Sequence, residues 1–422
     1  MKLLTLILLF ASAVQANAPA DSLSLQYCYT QANQNYPTAE NIELQQKITE
    51  LNLKIADTGY YPNVELGGKA SYQSEVTDFS IPGGGGPPAV SKDQYEASFK
   101  VTQNIFNGGA VGIRKELERA KGEQQIHSSE IELHQVRKQV DQVYFGILLS
   151  QQQQKVNALL IEDLEERIKT VRSQVENGVL LPSQQHILQA ELIKAHQDSA
   201  TIASNVDAGY QVLSELIGEE ISPDMNLSLP SPRVNYQSMQ PRRPEYELFQ
   251  STEKTLEKQM DLAYTKKLPS ISAFGTGAFG RPGLNFLNDD FHEYYIVGLQ
   301  LRWNLTDLWN SDTEIQALKV QQQKVDQNRK AFTRQLQASL DRIEQRIASI
   351  RENIERDREI ITLREQIVKE SASQLENGVV TATEYVTELT QANRARLSLF
   401  INRVQLAEAQ IEYATTLGVP IE

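Results

Sequence analysis

Residues 161–179 read IEDLEERIKTVRSQVENGV, and residues 361–379 read ITLREQIVKESASQLENGV. The two stretches lie 200 residues apart, and both end in Glu-Asn-Gly-Val. Apolar residues recur seven positions apart in both, and the first series extends back, with one interruption, to Ile126. Self-similarity at a fixed spacing indicates a duplicated unit. The chain therefore contains one structural pattern twice.

The heptad spacing predicts two long helices, at 110–176 and 310–376, that pack against other helices along their length. At about 1.5 Å per residue, each helix would be roughly 100 Å long. Such helices need equally long neighbours, and segments 22–58 and 183–217 together supply one for the first copy. We therefore expect a tubular architecture.

Before each long helix, apolar and polar residues alternate with a period of two. The alternating segments are 64–73 and 95–102 in the first copy, and 270–280 and 294–303 in the second. Their length is that of a tilted strand that crosses a lipid bilayer. A soluble, half-buried hairpin would show the same alternation, so periodicity alone leaves both interpretations open.

Composition narrows the class of protein. A net charge of −13 without a basic run argues against a nucleic-acid surface. The single cysteine, Cys28, excludes an internal disulfide framework and a zinc site built on thiolates, and we expect it to be buried in a helix. No later segment has the 18 apolar residues of a transmembrane helix, so any membrane contact is expected to use strands.

Residues 1–18 have the pattern of a secretory signal peptide. A lysine is followed by the apolar run 3–10 and by Ala16-Asn17-Ala18, a small-residue cleavage site. Cys28 lies too far beyond that site to be a lipidated first residue. We expect an exported chain without an evident acyl anchor.

An enzyme is not indicated. Residues 275–280 match a dinucleotide-binding motif in letters, but Arg281-Pro282-Gly283 follows where a helix should begin. His127 and His134 share a helical face, without further support for a metal pair. We predict no catalytic residue, cofactor or metal site.

Both copies have the same order: helix, strand, loop, strand, long helix, glycine turn and returning helix. The motifs in this order are Tyr61-Pro62-Asn63-Val64, Asn104-Ile105-Phe106-Asn107-Gly108-Gly109, Leu268-Pro269-Ser270-Ile271, Val297-Gly298-Leu299-Gln300-Leu301 with Asn304-Leu305, and the two Glu-Asn-Gly-Val turns. This arrangement resembles the outer-membrane efflux family, the TolC-like outer-membrane factors.

The resemblance implies a homotrimer with a mixed fold, an all-α tunnel plus a transmembrane β-barrel. Four strands per chain would form one twelve-stranded barrel in the outer membrane of a Gram-negative bacterium, and the helical hairpins would extend through the periplasm. The function implied is a passive exit duct for efflux or type I secretion, which receives substrates from an inner-membrane transporter through a periplasmic adaptor. The alternative is a periplasmic coiled-coil adaptor or structural protein, although an adaptor would have one hairpin.

These inferences divide the chain into nine segments. They are a signal peptide (1–18), an N-terminal periplasmic helix (19–60), a first β-hairpin (61–106), a first helical hairpin (107–217), a proline-rich linker (218–244), a helix (245–267), a second β-hairpin (268–305), a second helical hairpin (306–418) and a C-terminal tail (419–422).

Acidic residues follow the second turn. Thr381 and Glu384 have the spacing of a capping box, and Glu388 lies one helical turn further on. Family members have acidic side chains here around the periplasmic mouth. The resemblance therefore implies a cation-attracting constriction made by three copies of Glu384, with a contribution from Glu388. The alternative is that Glu384 is only a helix cap and Glu388 only a surface charge.

The turns themselves are apolar. Their residues are Gly178, Val179, Leu180 and Leu181 in the first copy, and Gly378, Val379 and Val380 in the second. Exposed apolar residues at an open end suggest a docking site for an adaptor hairpin, although they could merely pack against each other.

The chain departs from the family at four positions near the turns. Gln184 and His186 stand where an acidic residue is common, and Leu375 and Val380 replace polar residues that hold the entrance shut in some members. We therefore expect apolar contacts between the turns to close the entrance.

Overall fold

The computed structural model describes residues 22–76, 91–231, 239–285 and 288–419. Within these ranges the chain forms two compact units. Unit 1 contains residues 22–39, 132–243 and 335–419, and unit 2 contains residues 40–131 and 244–334, apart from the gaps just given. The predicted signal peptide and the glycine-rich segment 82–88 lie outside the described residues.

Seven α-helices lie in the described ranges. They are α1 (Leu25–Asn35), α2 (Pro37–Asp57), α3 (Ala110–Glu176), α4 (Pro182–Ile217), α5 (Pro244–Thr265), α6 (Asp307–Glu376) and α7 (Ala382–Leu417). The long helix α3 has the predicted bounds, and α6 begins slightly earlier than predicted, at Asp307. None of the helices in these ranges is long and apolar enough to cross a membrane.

The repeated Glu-Asn-Gly-Val sequence reverses the chain. Gly178 and Gly378 have φ angles of 76° and 70°, a left-handed conformation that only glycine adopts without strain. In both copies, the residue after the glycine donates its N–H to a glutamine carbonyl in the last helical turn, at 2.8 Å. Pro182 then begins α4 with its fixed φ, and Thr381 caps α7. The result is two helical hairpins, α3–α4 and α6–α7.

The N-terminal helix differs from the expected single helix. It is divided into α1 and α2 at Tyr36-Pro37. Proline has no backbone N–H and clashes with the preceding helical turn, so it starts a new helix instead of continuing the old one.

Unit 1 has its main core among α1, α3, α4 and α7. Tyr144 and Tyr210 are the largest fully buried side chains there, and Cys28 is also buried, as predicted. The hydroxyl of Tyr144 lies 2.8 Å from the carbonyl oxygen of Leu23. Leu23 belongs to β1 (Ser22–Leu23), which pairs in parallel with β4 (Asn226–Leu227) inside the predicted linker. The linker is therefore partly structured and is anchored beside the N-terminal strand.

Unit 2 contains a four-stranded antiparallel sheet. Its strands are β2 (Asn63–Tyr72), β3 (Asp93–Phe106), β5 (Ser270–Arg281) and β6 (His292–Arg302), in the order β2-β3-β5-β6. The two hairpins of the duplicated sequence thus join through β3 and β5. Within the described residues, β2 and β6 each have one edge without a strand partner.

The two faces of this sheet differ in chemistry. One face is apolar and exposed: Leu66 is 85 % exposed, Leu299 73 % and Val297 72 %. On the other face, Glu65 lies directly opposite Lys100, and Lys69 directly opposite Glu96. Cross-strand pairs of opposite charge stabilise a sheet in a polar environment, whereas exposed apolar side chains are costly in water.

Candidate functional site

The two hairpin tips share an apolar core in unit 1. All four helices that form the hairpins contribute to it. Its buried members are Leu164 and Val171 of α3, Leu188 and Ala195 of α4, Leu375 of α6, and Ala382, Tyr385 and Leu389 of α7. The hairpins of the duplicated sequence therefore lie side by side in one protomer.

The apolar tip residues divide into two groups. Leu180 and Val380 are half-buried and pack against the shared core. Val179, Leu181 and Val379 are 60 %, 68 % and 71 % exposed. Two of the apolar tip side chains thus pack against the shared core, and three others are exposed. A docking role for the exposed ones stays a prediction.

Glu384 forms the predicted capping box with Thr381. One oxygen of its carboxylate, Oε2, accepts the backbone N–H of Thr381 at 2.7 Å, and the Thr381 hydroxyl accepts the backbone N–H of Glu384 at 3.3 Å. The hydrogen bond from the Thr381 backbone holds the pKa of Glu384 below its ordinary value. Glu384 is exposed, and its Oε1 has no hydrogen-bond partner among the described residues. Capping therefore leaves its negative charge available.

Glu388 has a different environment. Its Oε2 accepts a hydrogen bond at 2.8 Å from the guanidinium of Arg364 on α6, and both side chains are about one third exposed. The nearby positive charge compensates the carboxylate. Of the two acidic residues, Glu384 is thus the stronger candidate for a site that attracts cations.

Gln184 occupies the position in the first copy that Glu384 occupies in the second. Its Oε1 accepts the backbone N–H of Ala382, the first residue of α7, at 2.6 Å. The first four N–H groups of a helix have no partner within the helix, so Gln184 acts as a cap for the other copy. The two equivalent side chains therefore both serve α7.

Arg167 links the hairpins a second time. Its guanidinium on α3 donates to the carboxylate of Glu376 on α6 at 2.6 Å and lies 5.0 Å from the centre of the Tyr385 ring on α7. The Arg167 side chain is 17 % exposed, so water screens these contacts only partly. The tip thus has polar links between the hairpins as well as an apolar core.

The first copy of the duplicated unit is similar to a known protein family. Residues 28–219 match the model of the family described as outer membrane efflux protein. The resemblance stated from the sequence is confirmed. No curated protein matches the sequence significantly.

Solved structures of outer membrane proteins share the fold. The outer membrane protein VceC of Vibrio cholerae matches with 12 % identity and a TM-score of 0.70, over 94 % of this chain and 97 % of VceC. The CmeC outer membrane channel of Campylobacter jejuni matches with 13 % identity and a TM-score of 0.68, over 94 % and 86 %. The MtrE channel of Neisseria gonorrhoeae, in its open state, matches with 15 % identity and a TM-score of 0.60, over 94 % and 89 %. The fold of these outer membrane proteins therefore spans both copies. The family match agrees with the predicted location in the cell outer membrane.

His127 and His134, which share a helical face, have different partners. Nδ1 of His127 lies 2.9 Å from Oε2 of Glu130, and Nε2 of His134 lies 2.5 Å from Nη1 of Arg243. Across the described ranges, no group of three or more His, Cys, Asp or Glu side chains could hold a metal ion.

Arg167 and Tyr385 were not identified from the sequence. Arg167 lies in α3 and Tyr385 in α7, and a charged or aromatic residue in a long helix is ordinary. Only the side-by-side hairpins bring the two together. Gln184 was noted as a departure from the family, but its role as a cap for α7 depends on the same arrangement.

We expect Arg167→Gln to loosen the tip. The change removes the ion pair with Glu376 and the contact with the Tyr385 ring. It should lower the stability of the tip by only about 1 kcal/mol, because the Glu376 side chain is half exposed and water screens the ion pair. Hydrogen exchange of the backbone amides around residues 370–389 should become faster.

Arg172→Gln is the matched control. Arg172 pairs with Glu176 within α3, and both side chains are about two-thirds exposed. This change should leave exchange in α6 and α7 unaltered. Equal exchange in both variants would show that the Arg167 contacts do not stabilise the tip.

Proposed function

We propose that this protein is the outer-membrane exit duct of a tripartite efflux or type I secretion system. It would conduct, without an energy source of its own, the substrates that an inner-membrane pump delivers through a periplasmic adaptor. The family match of residues 28–219 and the fold shared with outer membrane channels support this assignment.

The sheet of unit 2 is the observation that carries the proposal. One face of the sheet is apolar and exposed, and the other face has cross-strand pairs of opposite charge. Its two outer edges have no strand partner in the described residues. Lipid tolerates strands only where every backbone group is paired, so an open sheet with this apolar face must close into a barrel. Four strands are too few to close, whereas three copies supply twelve, with β6 of one chain paired to β2 of the next.

An apolar stripe on α2 supports a homotrimer. Leu44, Ile48, Leu51 and Ile55 share one helical face and are 49 %, 49 %, 49 % and 67 % exposed. Exposed apolar rows on long helices indicate helical partners. In the proposed trimer, helices of neighbouring copies would cover this stripe and continue the tunnel.

The tips would contact the adaptor. The seven tip residues from Gly178 to Leu181 and from Gly378 to Val380 include the three exposed side chains of Val179, Leu181 and Val379. An amphipathic hairpin of a partner protein can bury such side chains in a helix-to-groove contact. The fold also favours a channel over the alternative of an adaptor, because the described residues form two helical hairpins and four long strands.

We expect Glu384→Gln to reduce block of the pore by multivalent cations. Glutamine also fits the third position of a capping box, so the cap is retained while the charge is removed. Three copies of the exposed Glu384 carboxylate would attract cations at the periplasmic entrance. Single-channel recording in planar lipid, with multivalent cations on the periplasmic side, measures this effect.

Glu388→Gln is the control, because Arg364 already compensates the charge of Glu388. Its effect on block should be smaller. If Glu384→Gln leaves block unchanged, Glu384 is a helix cap and not part of a constriction.

The proposed function as a whole is tested by purification from the outer membrane. The protein should require detergent for extraction, migrate as a trimer and open pores in planar lipid. A water-soluble monomer that forms no pore would refute the assignment.

A further inference from the structure

Asp141 of α3 lies in the interior of unit 1. Only 9 % of the surface of this residue is accessible to solvent. In the described part of the chain its carboxylate has one hydrogen-bond partner, the hydroxyl of Tyr29 on α1, and it forms no ion pair. Burial of a charged carboxylate with a single neutral donor is unfavourable, whereas a protonated carboxyl avoids most of that cost.

The neighbouring charged groups give little compensation. On α7, Glu408 and Glu412 add negative charge, and on α3, Lys138 adds positive charge. Glu408 and Glu412 share one guanidinium, that of Arg346 on α6, at 3.5 Å and 3.1 Å. Arg137 of α3 faces Tyr29 on α1. The carboxylates of Asp141, Glu408 and Glu412 thus outnumber the one cation, Arg346, that pairs with two of them.

Burial is the main cause that raises the pKa of Asp141, to about 7. The hydrogen bond from Tyr29 opposes the rise, Glu408 and Glu412 add to it, and Lys138 lowers it.

A small cavity lies beside Tyr29. Its volume is about 110 Å³, and polar side chains line it, including Tyr29, Thr415 and the two ionisable residues His134 and Arg137. A polar cavity of this size has room for water molecules, which need roughly 10–15 Å³ of such volume each. Tyr29 lines the cavity and also donates its hydroxyl to Asp141, so it connects the cavity to the buried carboxyl.

We propose that Asp141 takes up a proton near neutral pH and that this proton stabilises the packing of α1 against α3 and α7. The protonated carboxyl keeps its hydrogen bond with Tyr29 and places no charge in the interior. Because the group binds a proton more tightly in the folded chain than in the unfolded chain, its contribution to stability is complete in acid. That contribution is lost as the pH rises through about 7.

Asp141→Asn in the full-length protein, purified in detergent, tests the proposal. Asparagine is neutral at every pH and keeps a carbonyl oxygen that accepts the Tyr29 hydroxyl. The melting temperature of the unmodified protein should rise by on the order of 2–4 °C when the pH is lowered from about 8.5 to about 6. The variant should lose most of this dependence and be at least as stable at the higher pH.

Asp357→Asn is the matched control. Asp357 is also 9 % exposed, but its carboxylate accepts hydrogen bonds from Ser398 at 3.2 Å and Asn402 at 2.6 Å. This variant should keep the pH dependence of the unmodified protein.

Infrared spectroscopy observes the proton directly. In the unmodified protein, the carboxylic-acid C=O band should be present at about pH 6 and weaker at about pH 8.5. In Asp141→Asn, the part of this band that comes from Asp141 should be absent. If Asp141→Asn does not fold, Tyr29→Phe replaces it: removal of the donor should shift the transition of this band to higher pH. An unchanged band in every variant, or an unchanged pH dependence of melting in Asp141→Asn, would overturn the proposal.

Discussion

Leu299→Arg should prevent the chain from reaching the outer membrane as a trimer. Leu299 lies in β6 on the apolar face of the sheet and is 73 % exposed in the protomer. An arginine at the lipid face of a barrel costs about 2–4 kcal/mol near the middle of the bilayer. Because the proposed trimer carries the change three times, the combined cost approaches the total stability of an ordinary domain.

The neighbouring residue supplies the control. Gln300 follows Leu299 in the same strand and points to the opposite face, because successive side chains alternate. Gln300→Arg introduces the same side chain into the same strand without placing it in lipid. We expect trimers in outer-membrane fractions for Gln300→Arg and not for Leu299→Arg. Equal insertion of both variants would show that this face does not contact lipid.

Val179→Asp combined with Val379→Asp should abolish efflux while the pore remains. Both side chains are exposed at the tips, so the changes leave the shared core intact. Central apolar side chains of an interface often contribute 2 kcal/mol or more each, which corresponds to about thirtyfold in affinity per site. The double variant should therefore form trimers and conduct ions in planar lipid but fail to bind the adaptor. Drug or substrate export by intact cells, together with capture of the adaptor by the purified channel, measures the effect.

Ser183→Asp distinguishes charge from loss of apolar surface. Ser183 is exposed at the second position of α4, where a negative charge is favourable to the helix. This variant adds an acidic side chain near the same tip but removes no apolar group. If it impairs export as strongly as the double variant does, electrostatic repulsion and not apolar contact controls docking.

The duplicated sequence determined much of the architecture. Local sequence patterns predicted the bounds of α3, the chain reversals at Gly178 and Gly378, and the four strands. Each of these features depends on residues close together in the chain. The capping box at Thr381 and Glu384 was readable for the same reason.

Other features depend on residues far apart in sequence. The pairing of β3 with β5 joins segments more than 150 residues apart, and no local pattern specifies it. Arg167, Glu376 and Tyr385 are likewise ordinary residues of three different helices until the hairpins lie side by side. Pro37 marks the division of the N-terminal helix in the sequence. The apolar periodicity around it nevertheless favoured a continuous helix.

The cap that Gln184 provides for α7 has a consequence for symmetry. Two copies of a unit in each of three chains could generate a ring of six equivalent hairpins. In this chain, however, the side chains at equivalent positions have diverged: Glu384 binds its own helix, whereas Gln184 crosses to the other copy. A mouth built from such protomers would have threefold and not sixfold symmetry, and a docking protein would meet two alternating kinds of tip. A chimera with two identical halves would lose that alternation.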